Sequence, residues 1–99
     1  MTKVTVSYEE GLYQDLQDPD EAAAYLNAAL EEGSQDVFLL ALRDVARARG
    51  ITQLARETYL NRENLYRMLT EKGNPQLSSL TILLDAMGLR LAVEPKQAA

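Results

Sequence analysis

The chain has 99 residues, enough for one domain with a single modest core. It carries 10 basic and 15 acidic residues, a formal net charge of −5, and it has neither cysteine nor histidine. This composition excludes disulfides, thiolate and imidazole catalysis and most zinc sites, and the lack of any apolar run of about 18 residues excludes a membrane-spanning helix.

The polar start MTKVTVSYEE has no apolar signal region and reads as mature cytoplasmic sequence. Val4, Val6 and Tyr8 alternate with Thr5 and Ser7, which predicts a short half-buried strand. Leu12, Tyr13 and Leu16 then recur at helical spacing. Because Gly11 weakens that pattern, residues 1–17 are expected to form a strand and a short helical turn or arm.

Asp18-Pro19-Asp20-Glu21 is a helix start, with Asp18 as N-cap, Pro19 at the first helical position and Glu21 placed to close a capping box. The helix that follows should bury Ala22, Ala23, Leu26, Ala29 and Leu30 and end at Gly33. Its outer face carries Asp20, Glu21, Glu31 and Glu32, which is either a solvated surface or a docking face for a basic protein. Ser34 is expected to cap a helix running to about Arg49. Val37 to Leu42 is apolar throughout, so this helix should be the most enclosed, before Gly50 stops it. Arg43, Arg47 and Arg49 line its second half. They either reach phosphates or pair with Asp36, Asp44 or Glu57.

The stretch Ile51 to Gly73, ITQLARETYLNRENLYRMLTEKG, reads as a helix-turn-helix. Thr52 can cap a short helix starting at Gln53, Leu54 and Ala55 face inward, and Leu60 closes the turn. Asn61 then caps a second helix in which Leu65, Met68 and Leu69 share the buried side. That leaves Arg62, Glu63, Asn64, Tyr66 and Arg67 outward. Arginine can fork onto guanine and asparagine can pair with adenine, while a capped helix start leaves backbone N–H groups for a phosphate. An ordinary solvated helix face is the competing reading.

In the following loop Gly73 is expected to supply a left-handed cap, with Lys72 and Asn74 as phosphate contacts. Ser78 should cap the last helix, with Leu77 stapled onto Ile82. Leu80, Leu83, Leu84 and Met87 form its buried stripe and Gly88 ends it. Leu89, Leu91 and Val93 alternate with Arg90, Ala92 and Glu94, which predicts a second strand before the polar tail. The chain thus divides into an arm (1–17), a helical domain (18–88) and a C-terminal strand and tail (89–99). Two lone strands need each other or a copy from another subunit, which suggests a homodimer.

Charge is unevenly spread. Residues 1–50 hold four basic and ten acidic side chains, and residues 51–99 hold six and five. From Arg43 to Asn74 there are seven basic and four acidic residues, a weak positive bias that two copies reading half-sites about 34 Å apart would reinforce.

The segments DPDEAAAYLNAALEEG, VFLLALRDVARARG, TQLARETYLNRENLYRMLTEKGNPQLSSL and LLDAMGLRL, in this order, resemble the addiction-module antidote family. These are antitoxins of type II toxin–antitoxin pairs with a lambda-repressor-like (Cro-like) helix-turn-helix. The resemblance implies an all-α, five-helix DNA-binding domain that represses its own promoter as a dimer and neutralises a basic, RelE-like toxin, a ribosome-dependent ribonuclease. Carried over by position, it places base contacts at Arg62, Glu63, Tyr66 and Arg67. Thr52, Gln53, Asn61 and Asn64 fall to the phosphate backbone, beside Lys72 and Asn74. The turn position usually held by glycine is Tyr59, which must then take positive φ at some strain or alter the turn.

No cofactor or metal site is expected. An enzyme is not expected either, since the acidic pairs Glu9-Glu10, Glu31-Glu32 and Asp18-Asp20 lie at helix starts, ends and surfaces and none implies an apolar pocket. The alternatives are a solitary helix-turn-helix regulator and a helical interaction module without DNA binding, the latter in keeping with the net charge.

Overall fold

The computed structural model describes residues 2–70 and 72–97. They form α1 (Thr2–Leu16), α2 (Pro19–Glu31), α3 (Gln35–Arg49), α4 (Ile51–Thr58), α5 (Arg62–Met68) and α6 (Leu77–Ala86). The all-α expectation agrees with this, but the described residues hold six helices rather than five and neither expected strand.

The N-terminal correction is the larger one. Where a strand over Val4 to Tyr8 was expected, the backbone is helical from Thr2 through Gly11 to Leu16. Three alternating apolar residues are too few to decide a period, whereas Leu16 is buried and Leu12 and Tyr13 pack beside it on the core. Gly11 is exposed with open space where a side chain would sit, so it costs only about 1 kcal/mol of helix propensity. Gln17 fixes the end of α1 by donating from Nε2 to the Ala48 carbonyl at 3.1 Å.

Asp18 caps α2 as its sequence suggests, accepting from the Asp20 N–H at 3.0 Å, with Pro19 in the first turn. The expected capping box with Glu21 is not made: the Asp18 side chain is bonded one residue earlier, at Asp20, and the Asp18 N–H donates to the Asp15 carbonyl at 3.1 Å. Ala22, Leu26 and Ala29 are buried, while Leu30 turns outward and stays 55% exposed. The Tyr25 hydroxyl donates to the Asp44 carboxylate at 2.7 Å and ties α2 to α3. Desolvation and this carboxylate push the Tyr25 phenol up to about 12.

α3 is the centre of the molecule and packs against α1, α2 and α4. Leu39, Leu42, Val45 and Ala46 are buried on it, and Ser34 precedes it without a side-chain cap bond. Gly50, at φ 105°, does two things: its N–H closes α3 onto Ala46 at 2.9 Å, and its carbonyl accepts from Leu54 at 3.0 Å to open α4. α4 therefore begins at Ile51, which is buried, and Thr52 lies in the first turn instead of capping it.

The start of α6 is corrected likewise. Gln76 occupies the cap position and the helix begins at Leu77, before Ser78. Leu77 and Ile82 both remain exposed, so the expected staple buries neither of them. Leu83, Leu84 and Met87 join the core, and Gly88 at φ 77° turns the chain so that the Leu89 N–H reaches the Leu84 carbonyl at 2.8 Å. Arg49 donates to the Met87 carbonyl at 3.1 Å, binding the end of α3 to the end of α6. Beyond Gly88 the expected strand over Leu89, Leu91 and Val93 is absent: residues 89–97 run on without helix, turn or bend, and after the Leu89 bond to Leu84 the chain makes no further backbone hydrogen bond among the described residues.

Candidate nucleic-acid interface

The turn between α4 and α5 is built by three residues. Thr58 is buried, donates from Oγ1 to the Leu54 carbonyl at 2.6 Å and accepts from the Leu60 N–H at 3.3 Å, so one hydroxyl serves both sides of the turn. Tyr59 takes the left-handed conformation, φ 61° and ψ 14°, with its side chain 95% exposed. Asn61 then caps α5, its Oδ1 accepting from the Asn64 N–H at 2.7 Å.

Leu65 and Leu69 are completely buried, which fixes the rotation of α5 and leaves Arg62, Glu63, Asn64, Tyr66 and Arg67 on the solvent side. Arg62 lies along the Tyr66 ring, its guanidinium carbon 6.0 Å from the centroid and its nitrogen 3.5 Å from the hydroxyl oxygen. Both side chains are thereby steered along the exposed face.

The remaining candidates fall into two shallow hollows. Asn64 and Arg67 of α5 share one with Lys72 and Asn74 of the loop before α6. Thr52 and Gln53 line the other at the start of α4, with Arg56 and Glu57. Gln53 is held there by donating from Nε2 to Glu57 at 2.7 Å. Sequence reasoning missed Arg56, although its spacing of four from Thr52 puts it on the same face. It also missed Thr58, whose buried hydroxyl is recognisable only once the turn is seen.

The loop corrects one reading. Gly73 does not have positive φ; it is buried, and glycine is needed because a Cβ there would collide with the backbone of Met68 and Arg67. Its carbonyl accepts from Gln35 Nε2 at 3.1 Å, so the loop carrying Lys72 and Asn74 is pinned to the start of α3. Of the three arginines of α3, Arg43 is half-buried with its Nε enclosed and unpartnered among the described residues, Arg47 is exposed and Arg49 is committed to Met87, while Asp44 is occupied by Tyr25.

Among the described residues no cluster of acidic side chains could hold a metal ion, and no helix is long and apolar enough to cross a membrane. What the fold defines is an all-helical domain with a polar, cation-bearing surface spread over two short helices and the loop after them. The chain belongs to the family described as "Probable addiction module antidote protein", whose model matches residues 8–95. It is also similar to a protein of Haemophilus influenzae (strain ATCC 51907 / DSM 11121 / KW20 / Rd) that is described as uncharacterized, 35% identical over 86 residues, covering 87% of this chain and 89% of the relative. No solved structure matches it.

Proposed function

We propose that the chain is a DNA-binding antitoxin that neutralises a cognate toxin and represses its own operon as a homodimer. The observation that carries the DNA part is the outward row Arg62, Glu63, Tyr66 and Arg67 on a helix held rigidly by Leu65 and Leu69. In this reading α4 and α5 are a helix-turn-helix of the lambda-repressor-like kind, and α5 lies in the major groove. The four side chains read base edges, and Thr52, Gln53, Asn61, Asn64, Lys72 and Asn74 fix the register on phosphates.

Membership of an antidote family supports the toxin part. The proposed partner is a basic, RelE-like protein, to which the exposed carboxylates Asp20, Glu21 and Glu31 of α2 and Glu32 at its C-cap offer complementary charge. The same net charge of −5 predicts that one copy holds DNA weakly.

The test is a titration of the protein against its own promoter fragment at two salt concentrations, with and without the neighbouring gene product. Binding that weakens steeply with salt and shifts when the neighbour is added is the expected result. A folded protein that binds no promoter under either condition would point instead to a helical interaction module.

A further inference from the structure

Tyr59 carries a backbone strain that the fold does not repay. It holds φ 61° and ψ 14°, where a bulky side chain is an outlier, yet its ring is 95% exposed. Thr58 before it is buried and Leu60 after it is half-buried, so the tyrosine between them points away from the core. The side-chain hydrogen bonds of the turn belong to Thr58 and Asn61, and among the described residues the Tyr59 hydroxyl takes no part in them. Strain kept without a packing return is a mark of use outside the fold.

The position says which use. Tyr59 stands two residues before the Asn61 cap and three before Arg62, and residues 61–64 are all exposed. Asn61, Arg62 and Asn64 bring hydrogen-bond donors to that surface, which suits a phosphate strand better than an apolar partner. With α5 in the major groove, a side chain that precedes the helix meets the strand bordering the groove and not the base edges inside it.

We propose that Tyr59 is a DNA contact, its phenolic hydroxyl donating to a phosphate oxygen of the strand beside the start of α5. The inference rests on the DNA-binding reading above and adds to it a residue outside the row on α5. Thr58 and Asn61 fix the turn on both sides of Tyr59, so the backbone that presents the hydroxyl is already ordered before DNA arrives. An uncharged donor also suits a chain of net charge −5. It adds affinity without releasing a counterion, where the cations alone supply a weak bias.

Fluorescence anisotropy with the promoter fragment and with an unrelated duplex of equal length, at several salt concentrations, tests the proposal. Tyr59→Phe keeps the ring and the backbone and loses only the hydroxyl. It should weaken binding to both duplexes by about tenfold, the worth of one hydrogen bond to a charged group. The slope of log affinity against log salt should not change, because no charge has been removed. Tyr59→Gly should bind no better than Tyr59→Phe while unfolding at a higher urea midpoint, opposite movements that a merely structural residue would not give.

Tyr59→Phe or Tyr59→Gly binding like the unmodified chain overturns the proposal. So does a loss confined to the promoter, which would make Tyr59 a base contact, or a changed salt slope. An unmodified chain that binds neither duplex removes the DNA reading and this contact with it. An unmodified chain that binds, matched by Tyr59→Phe, removes the contact alone and leaves the DNA reading standing.

Discussion

Tyr59 holds a left-handed backbone while its ring is 95% exposed, so the conformational cost returns almost no packing. Glycine adopts the same angles freely, at the expense of greater chain entropy when unfolded. Tyr59→Gly should therefore raise unfolding stability by about 0.5–1 kcal/mol, read as a higher urea midpoint with an unchanged slope. A lower midpoint would mean that the tyrosine ring contributes more than its exposure suggests. Residues of this kind were legible because their causes are local. Asp18 and Asn61 cap helices through bonds two and three residues away, and Gly33, Gly50 and Gly88 carry positive φ where a helix ends. Gly73 was legible as a glycine needed in that loop, but for the wrong reason. Its constraint is the approach of the Met68 carbonyl, which depends on how the loop folds back.

Between elements, the Tyr25 to Asp44 bond makes a pH-dependent link between α2 and α3. Burial, followed by the neighbouring carboxylate, raises the folded phenol to about 12 from an ordinary value of 10.0. The stabilisation is complete below pH 10, where the phenol is protonated in both states, and is lost as pH climbs from 10 through 12 because the unfolded chain releases the proton first. Thermal melts over that window should fall less steeply for Tyr25→Phe than for the unmodified chain. Equal slopes would show that other groups dominate the alkaline loss. The helix boundaries show where element-level reading stops. Thr52 and Ser78 have the right chemistry for caps, yet Gly50 and Gln76 take those places, because Ile51 is drawn into the core and the backbone around Gly50 serves two helices at once. The alternations at Val4 to Tyr8 and Leu89 to Val93 look the same in sequence. One lies in a helix and the other in a segment without regular structure, so the alternation by itself does not decide between them.

For the whole molecule, the division between buried and outward residues of α5 is the part of the candidate site that sequence periodicity resolves. Leu65 and Leu69 anchor it, and their spacing leaves little freedom for the opposite face. The hollows are a different matter: Arg67 and Lys72 share one because the loop folds back over the end of α5. Under the proposed function, Arg62→Ala and Arg67→Ala should each cost about 1–3 kcal/mol of specific promoter binding with the helical signal intact, measured by fluorescence anisotropy. Unchanged affinity in both would remove α5 as the reading helix.

The enclosure of α3 by three other helices also has a meaning in time. Amides of a helix whose Leu42 and Ala46 are fully buried have no local route to solvent, so they should exchange with deuterium only when the entire domain opens. Their exchange free energy under native conditions should equal the global unfolding free energy from denaturant titration. The middle of α3 is then the slowest part of the chain, and it keeps time for all the rest.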